Sequence, residues 1–196
     1  MRSIKYWILA GGVFLLCCYL AASIAFHIRM QRNDGDASAA DTRFDENKSL
    51  FAAIEHAQQF KLYEGLPHQH NERKLFEQER ARTASLDFHG YKFYPDPLEL
   101  PADEQTKLKT WLGNEGNFNQ WGGEKKCGGY HPDYLAEYIV DGKMYQFLIC
   151  LGCCEVIVYG LDRNLRCDIK HELFANRKQF LKTYRKNRPL PDADSE

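Results

Sequence analysis

The stretch that decides the fold is CGGYHPDYLAEYIVDGKMYQFLICLGCCEVIVYGLDRNLRC, residues 127–167. Inside it, the run 134–140 is rich in aromatic and branched side chains, and Asp141-Gly142 separates it from a second apolar run, 144–150. Asp-Gly between two such runs predicts a tight β-hairpin, because both turn positions need a positive φ. The unbroken apolar character of residues 147–150 predicts a strand that is covered on both faces.

Two more runs continue this pattern toward the C-terminus. Residues 155–159 form a third run rich in branched side chains, and a turn over residues 160–164 leads to a short fourth run, 165–169. Consecutive runs joined by short turns are typical of an antiparallel meander.

The flanking sequence predicts helices, one further strand and a second hairpin. Apolar spacing indicates helices at about 46–58, 103–112 and 171–184, a charged helix over 72–83 capped by Asn71, a strand over 60–66, and a hairpin over 86–94. Residues 113–123 have the composition of a polar loop. The order predicts an α+β domain with a mostly antiparallel sheet and helices packed on one face.

The N-terminus carries an apolar run from Tyr6 to Phe26 with no charged residue inside it. A helix of that length spans the ~30 Å core of a bilayer. We therefore predict a transmembrane anchor over 1–28, a linker over 29–44, a globular domain over 45–189 and a loose tail over 190–196. A cleaved signal peptide ending near Ala25 is the alternative, but the apolar part of a signal is usually shorter.

Charge gives partial guidance on partners and location. The formal net charge is −1, so charge alone implies no nucleic acid partner. Basic residues lie on both sides of the apolar run, which gives the positive-inside rule little contrast. The short basic tail leading straight into that run resembles an export signal, so we place the domain outside the cytoplasm as part of a single-pass membrane protein.

Four residues in the deciding stretch form the candidate site: Cys127, His131, Cys150 and Cys153. Cys150-x-x-Cys153 contains a glycine, as zinc knuckles do, and Cys127 with His131 could complete a Cys3His tetrahedron around zinc. The hairpin predicts that the two pairs meet, because it returns the end of its second strand beside the start of its first.

Two other uses of these cysteines stay open. Disulfides form outside the cytoplasm, and Cys127 could pair with Cys150 or Cys153. A thiol-redox role is the third possibility, although strands rather than a helix N-terminus flank the motif. Cys154 and Cys167 are predicted to be simply buried. His68 and His70 could approach the site from the turn between the strand and the charged helix, although a turn histidine is more often a cap or a solvated residue. Glu64 could be a buried acid or a carboxylate on an edge strand.

Three phrases carry a resemblance to a known family. They are YEGLPH at 63–68, CGGYHPD at 127–133 followed by CLGC at 150–153, and RKNRP at 185–189. Together they resemble a family of uncharacterised bacterial proteins that often begin with a signal or an anchor. The resemblance covers roughly residues 60–189 and implies an exported domain, without implying an activity.

No motif in the sequence names a reaction. We find no nucleophile elbow, phosphate-binding loop or HExxH pattern. The leading hypothesis is a membrane-anchored, Cys-rich binding or structural module whose protein or ligand partner the sequence does not identify. The alternative is a zinc-binding or thiol-redox protein that uses the Cys127, His131, Cys150 and Cys153 cluster.

Overall fold

The computed structural model describes residues 40–188, apart from the side chains of residues 173–177 and 180. The predicted anchor over 1–28 and the predicted tail over 190–196 lie outside these residues. Within the described part of the chain, no helix has both the length and the apolar character needed to cross a bilayer.

The domain is built on a sheet of six antiparallel strands, with a separate two-stranded hairpin beside it. The strands are β1 Gln59–Glu64, β2 Leu86–Phe88, β3 Tyr91–Phe93, β4 Phe118–Gln120, β5 Tyr134–Val140, β6 Lys143–Cys150, β7 Glu155–Gly160 and β8 Arg163–Ile169. The order in the large sheet is β1-β5-β6-β7-β8-β4, and β2 pairs with β3. The predicted meander therefore forms the centre of the sheet, and each end of the sheet is closed by a strand from earlier in the chain.

Helical segments come from four parts of the described chain. They are α1 Phe44–Asn47, α2 Ser49–Ala52, α3 Arg73–Arg82, α4 Ala102–Gly113 and α5 His171–Thr183, with 3-10 turns at Ala53–His56 and Glu115–Asn117. The mixture of helices with an antiparallel sheet confirms the predicted α+β class.

Two of the three turns of the meander are tight and left-handed. Asp141 and Gly142 have φ values of 48° and 71°, and they join β5 to β6 with Val140 opposite Lys143. Leu161 and Asp162 have φ values of 52° and 60° and join β7 to β8. The first turn confirms the Asp-Gly prediction, and the second is shorter than the five-residue turn predicted from composition.

Alternate residues of each strand enter two different cores. On the helix side, residues such as Phe147 and Val158 pack against α2 and α4. On the opposite side, Leu135, Leu148 and Ile157 pack against the β2–β3 hairpin. Residues 145–150 of β6 are therefore buried on both faces of the sheet, as the apolar run at 147–150 predicted.

The structure differs from the prediction at four places. The first predicted helix is broken into α1, α2 and a 3-10 turn, and the predicted loop 113–123 contains β4, which forms the edge of the sheet by pairing with β8. Asn71 does not cap α3, because its side-chain amide instead donates to the carbonyl of Cys127 at 3.1 Å. The predicted linker ends too late, since Ala40 is buried and the Asp41 carbonyl accepts from the Arg166 N–H.

Candidate functional site

The turn between β6 and β7 carries a disulfide between Cys150 and Cys153, whose Cα atoms are 5.4 Å apart. Both cysteines are buried, with 2% and 5% of their surface exposed. Asp133 holds this turn in place, because its carboxylate accepts a hydrogen bond from the Leu151 N–H at 2.7 Å. The disulfide-bonded turn at the end of β6 is therefore fixed to Asp133, the residue that precedes β5.

A third sulfur lies against this disulfide. The Sγ atom of Cys127 is 2.9 Å from the Sγ atom of Cys153 and 3.5 Å from the carbonyl oxygen of Gly129. Cys127 is half-buried, so it is more open to solvent than the two bonded cysteines. The structure thus brings together three of the four residues that the sequence singled out, and we refer to Cys127, Cys150 and Cys153 as the three-cysteine site.

His131 does not join these sulfurs as the predicted fourth zinc ligand. Its Nε2 atom donates to the carbonyl oxygen of Leu66 at 2.9 Å, and its ring lies 4.7 Å from the ring of His68. Burial lowers the pKa of His131 to about 4, so the ring is neutral at pH 7.

Zinc does not fit the observed arrangement of the predicted ligands. Two of the sulfurs are bonded to each other, whereas zinc binds cysteine as separate thiolates. Across the residues that the structure describes, no group of three or more His, Cys, Asp or Glu side chains is placed to hold a metal ion. The predicted Cys3His tetrahedron of Cys127, His131, Cys150 and Cys153 is therefore not formed.

A buried ion pair anchors the loop that leads to Cys127. Arg166 on β8 and Glu155 on β7 are 3% and 0% exposed, and two guanidinium nitrogens of Arg166 donate to one Glu155 oxygen at 2.8 and 3.0 Å. Trp121 lies over the guanidinium, 4.3 Å from it, and its indole N–H donates to Glu155. A buried pair of this kind is stable because its charges keep several hydrogen bonds.

Two further contacts fix the loop on either side of Cys127. On the N-terminal side, Asp168 accepts from the Lys125 ammonium at 3.0 Å and from the Gly122 N–H at 3.1 Å. On the C-terminal side, the Tyr130 hydroxyl donates to the Leu148 carbonyl and accepts from the Ile157 N–H. The position of the Cys127 thiol is therefore set by the sheet itself.

The other two cysteines of the domain stand apart from the three-cysteine site. Cys167 is fully buried in the helix-side core, and burial raises the pKa of its thiol well above the ordinary value. Burial also raises the pKa of Cys154. Both thiols stay protonated at neutral pH, and only the thiolate is a good nucleophile.

A second polar cluster lies beside the same turn, which we call the Arg188 junction: Glu64, Glu72, Asp133 and Arg188. The guanidinium of Arg188 pairs with Asp133 at 2.7 Å and with Glu72. Glu64 accepts three backbone N–H groups, from Lys186 at 3.1 Å, Asn187 at 2.7 Å and Arg188 at 3.0 Å. The end of the described chain is therefore tied to β1 and to the start of β5.

The three phrases that suggested a family meet at this junction. Gly65 of the first phrase donates its N–H to the carbonyl of Asp133 in the second, at 2.8 Å. The third phrase supplies Arg188 and the N–H groups that bind Glu64. Sequence reasoning missed the roles of Glu72 and Arg188. The only signal for Arg188 was its place in the third phrase, and Glu72 lies outside all three phrases.

Comparisons with protein-family models, with curated proteins and with solved structures return no match to this chain. The resemblance to exported bacterial proteins therefore stays a prediction.

Proposed function

We propose that the protein is a single-pass membrane protein, anchored by Tyr6–Phe26, whose extracytoplasmic domain exchanges disulfides through Cys127, Cys150 and Cys153. The observation that carries this proposal is the 2.9 Å contact between the Cys127 sulfur and Cys153, which is already bonded to Cys150. Thiol–disulfide exchange begins with this kind of approach of a third sulfur to a disulfide.

The size of the disulfide loop favours exchange over a purely structural role. Cys150 and Cys153 are three positions apart in sequence, whereas Cys127 and Cys153 are 26 apart. By loop-closure entropy, the short loop stabilises the fold by about 2 kcal/mol, and the long loop would stabilise it by about 3.5 kcal/mol. A bond kept only for stability would thus be better placed between Cys127 and Cys153.

The internal step balances without an external oxidant or reductant. The Cys127 thiolate attacks the Sγ atom of Cys153, a Cys127–Cys153 bond forms, and the Cys150–Cys153 bond breaks. Cys150 leaves as a thiolate and takes up the proton that Cys127 released. The disulfide then includes the sulfur of Cys127, the most exposed cysteine of the three.

The external step uses a protein dithiol as the reductant. One thiolate of the dithiol attacks Cys127 and releases Cys153 as a thiolate, and the second thiolate then displaces Cys127 to close a disulfide in the partner. The partner loses two electrons and two protons, and the three-cysteine site gains them. A compartment outside the cytoplasm permits such disulfides to persist.

The rate of reduction by dithiothreitol tests this proposal. In the full chain held in detergent, we expect replacement of Cys127 by serine to slow reduction of the disulfide by roughly ten-fold or more, because the reagent loses its accessible sulfur. The rate is measured by quenching with acid at intervals and alkylating the free thiols for mass spectrometry.

The matched control is Cys154→Ser, which removes a neighbouring half-buried thiol outside the three-cysteine site. This variant should be reduced at the rate of the unaltered chain. Equal rates for Cys127→Ser and the unaltered chain would contradict the relay role of Cys127 and leave the disulfide as a structural bond.

A further inference from the structure

We infer that the cleft between α5 and the β6–β7 turn binds a small anion that carries a carboxylate or phosphate group. The cleft has a volume of about 230 Å³. One wall is α5 with the segment after it, and the other is made by the ends of β1 and β5 with Leu151 and Gly152 of the turn. Neither the cysteines nor their chemistry enter this inference.

Four cations and two carboxylates line the cleft. The cations are Lys178, Lys182, Arg185 and Arg188, and the carboxylates are Glu64 and Asp133. Lys178 and Lys182 are four positions apart on α5 and so share one face of that helix, and Arg185 follows just after the helix ends. The lining therefore carries an excess of positive charge.

Both carboxylates already have their hydrogen bonds within the protein. Glu64 accepts three backbone N–H groups and lies 3.8 Å from the Arg185 guanidinium. Asp133 accepts from the Leu151 N–H and pairs with Arg188. Each of the four carboxylate oxygens thus already accepts at least one hydrogen bond, and a cationic ligand would also meet the charges of the lysines.

An anion fits the same surroundings. Its oxygens would accept charge-assisted hydrogen bonds, which are stronger than bonds between neutral groups, and it would reduce the repulsion along the α5 wall. The volume lies below the ~300–1,000 Å³ of sites for drug-sized ligands, so the ligand is small. Tyr134 and Leu151 add apolar surface, which suits an organic acid as well as inorganic phosphate.

Isothermal titration of the full chain in detergent tests the inference, with inorganic phosphate in one arm and succinate in the other at constant ionic strength. We expect saturable binding of one ion per chain in at least one arm, and the tighter arm identifies the chemistry of the natural ligand. Lys182→Glu should weaken that binding roughly ten-fold or more, as expected for loss of one charge-assisted hydrogen bond.

The control is Lys143→Glu, which makes the same change of charge at an exposed position at the opposite end of β6. It should leave the affinity unchanged. The inference would be overturned if neither phosphate nor succinate bound saturably, or if Lys182→Glu and Lys143→Glu lost affinity equally. Lys182 is exposed, and a circular dichroism spectrum that matches the unaltered chain confirms that the variant is folded.

Discussion

Gly65 lies where β1 ends against the segment that leads into β5. A Cβ atom at this position would collide with the backbone carbonyl of Pro132, so only glycine permits the bond from its N–H to Asp133. We expect Gly65→Ala to lower the free energy of unfolding by about 1–3 kcal/mol, the usual cost of forcing atoms into a packed site. Urea unfolding measures this change.

Gly152 provides the matched control for that substitution. A Cβ atom there meets nothing within 4 Å, and the residue does not have a positive φ. Gly152→Ala should therefore leave stability unchanged or raise it slightly. Equal losses of stability in Gly65→Ala and Gly152→Ala would contradict a close approach of Gly65 to the Pro132 carbonyl.

His131 makes stability depend on pH. Its folded pKa is about 4, against 6.5 for an ordinary histidine, because burial disfavours the charged ring. The unfolded chain therefore binds more protons between these values, and stability falls as the pH drops from 6.5 to 4. The shift corresponds to a loss of about 3 kcal/mol once the pH is below both values.

Urea unfolding at pH 7 and at pH 4.5 checks this expectation. His131→Gln should show a smaller loss of stability between the two pH values than the unaltered chain. His56→Gln, at an exposed position, should show the full loss. An unchanged pH dependence in His131→Gln would show that other groups, such as the half-buried His89, cause the effect.

At the scale of the element, the turn between β7 and β8 contains a residue in an unfavourable backbone conformation. Leu161 has a φ of 52°, a conformation that costs an ordinary residue about 1–2 kcal/mol, and its side chain is exposed. We expect Leu161→Asn to raise the free energy of unfolding by about 1 kcal/mol, since asparagine tolerates this conformation.

Thermal or urea unfolding measures this gain. The control is Met144→Asn, an exposed position inside β6 where the backbone is extended. Met144→Asn should not raise the free energy of unfolding, because asparagine is disfavoured in strands. A gain at both positions would mean that loss of an exposed apolar side chain, rather than relief of the backbone, is responsible.

Elements with strong local signals could be predicted from the sequence. The β5–β6 hairpin followed from Asp141-Gly142, because few residues accept positive φ at both turn positions. The strand β4 could not be predicted, since its three residues have no pattern of their own and exist as a strand only through pairing with β8. The broken first helix likewise depends on packing rather than on its apolar spacing.

The candidate site could be predicted only in part, because some of its contacts are local in sequence and others are not. The hairpin geometry placed Cys127 near Cys153, but the position of His131 depends on a bond to Leu66, which is 65 positions away in sequence. The pairing of Arg188 with Asp133 and Glu72 spans 55 and 116 positions. Contacts of this range leave no periodic signal in a single sequence.

At the scale of the whole molecule, the predicted anchor is the feature that an extraction experiment tests. We expect the full chain to resist carbonate extraction from membranes, because the apolar run 6–26 is long enough to span a bilayer. A fragment that begins near residue 40 should remain in solution. Recovery of a mature chain whose N-terminus is Phe26 would show a cleaved signal and contradict the anchor.

In the proposed relay, three sulfurs share one disulfide, and peptide mapping of the oxidised full chain tests this sharing most directly. After acid quenching and alkylation at neutral pH, trypsin separates Cys127, in peptide 127–143, from Cys150 and Cys153, in peptide 144–163. We predict two forms in equilibrium: a bond within peptide 144–163, and a bond from Cys127 to Cys153 that links the two peptides. Cys127 that is fully alkylated in every sample, or three free thiols with one bound zinc per chain, would contradict the account.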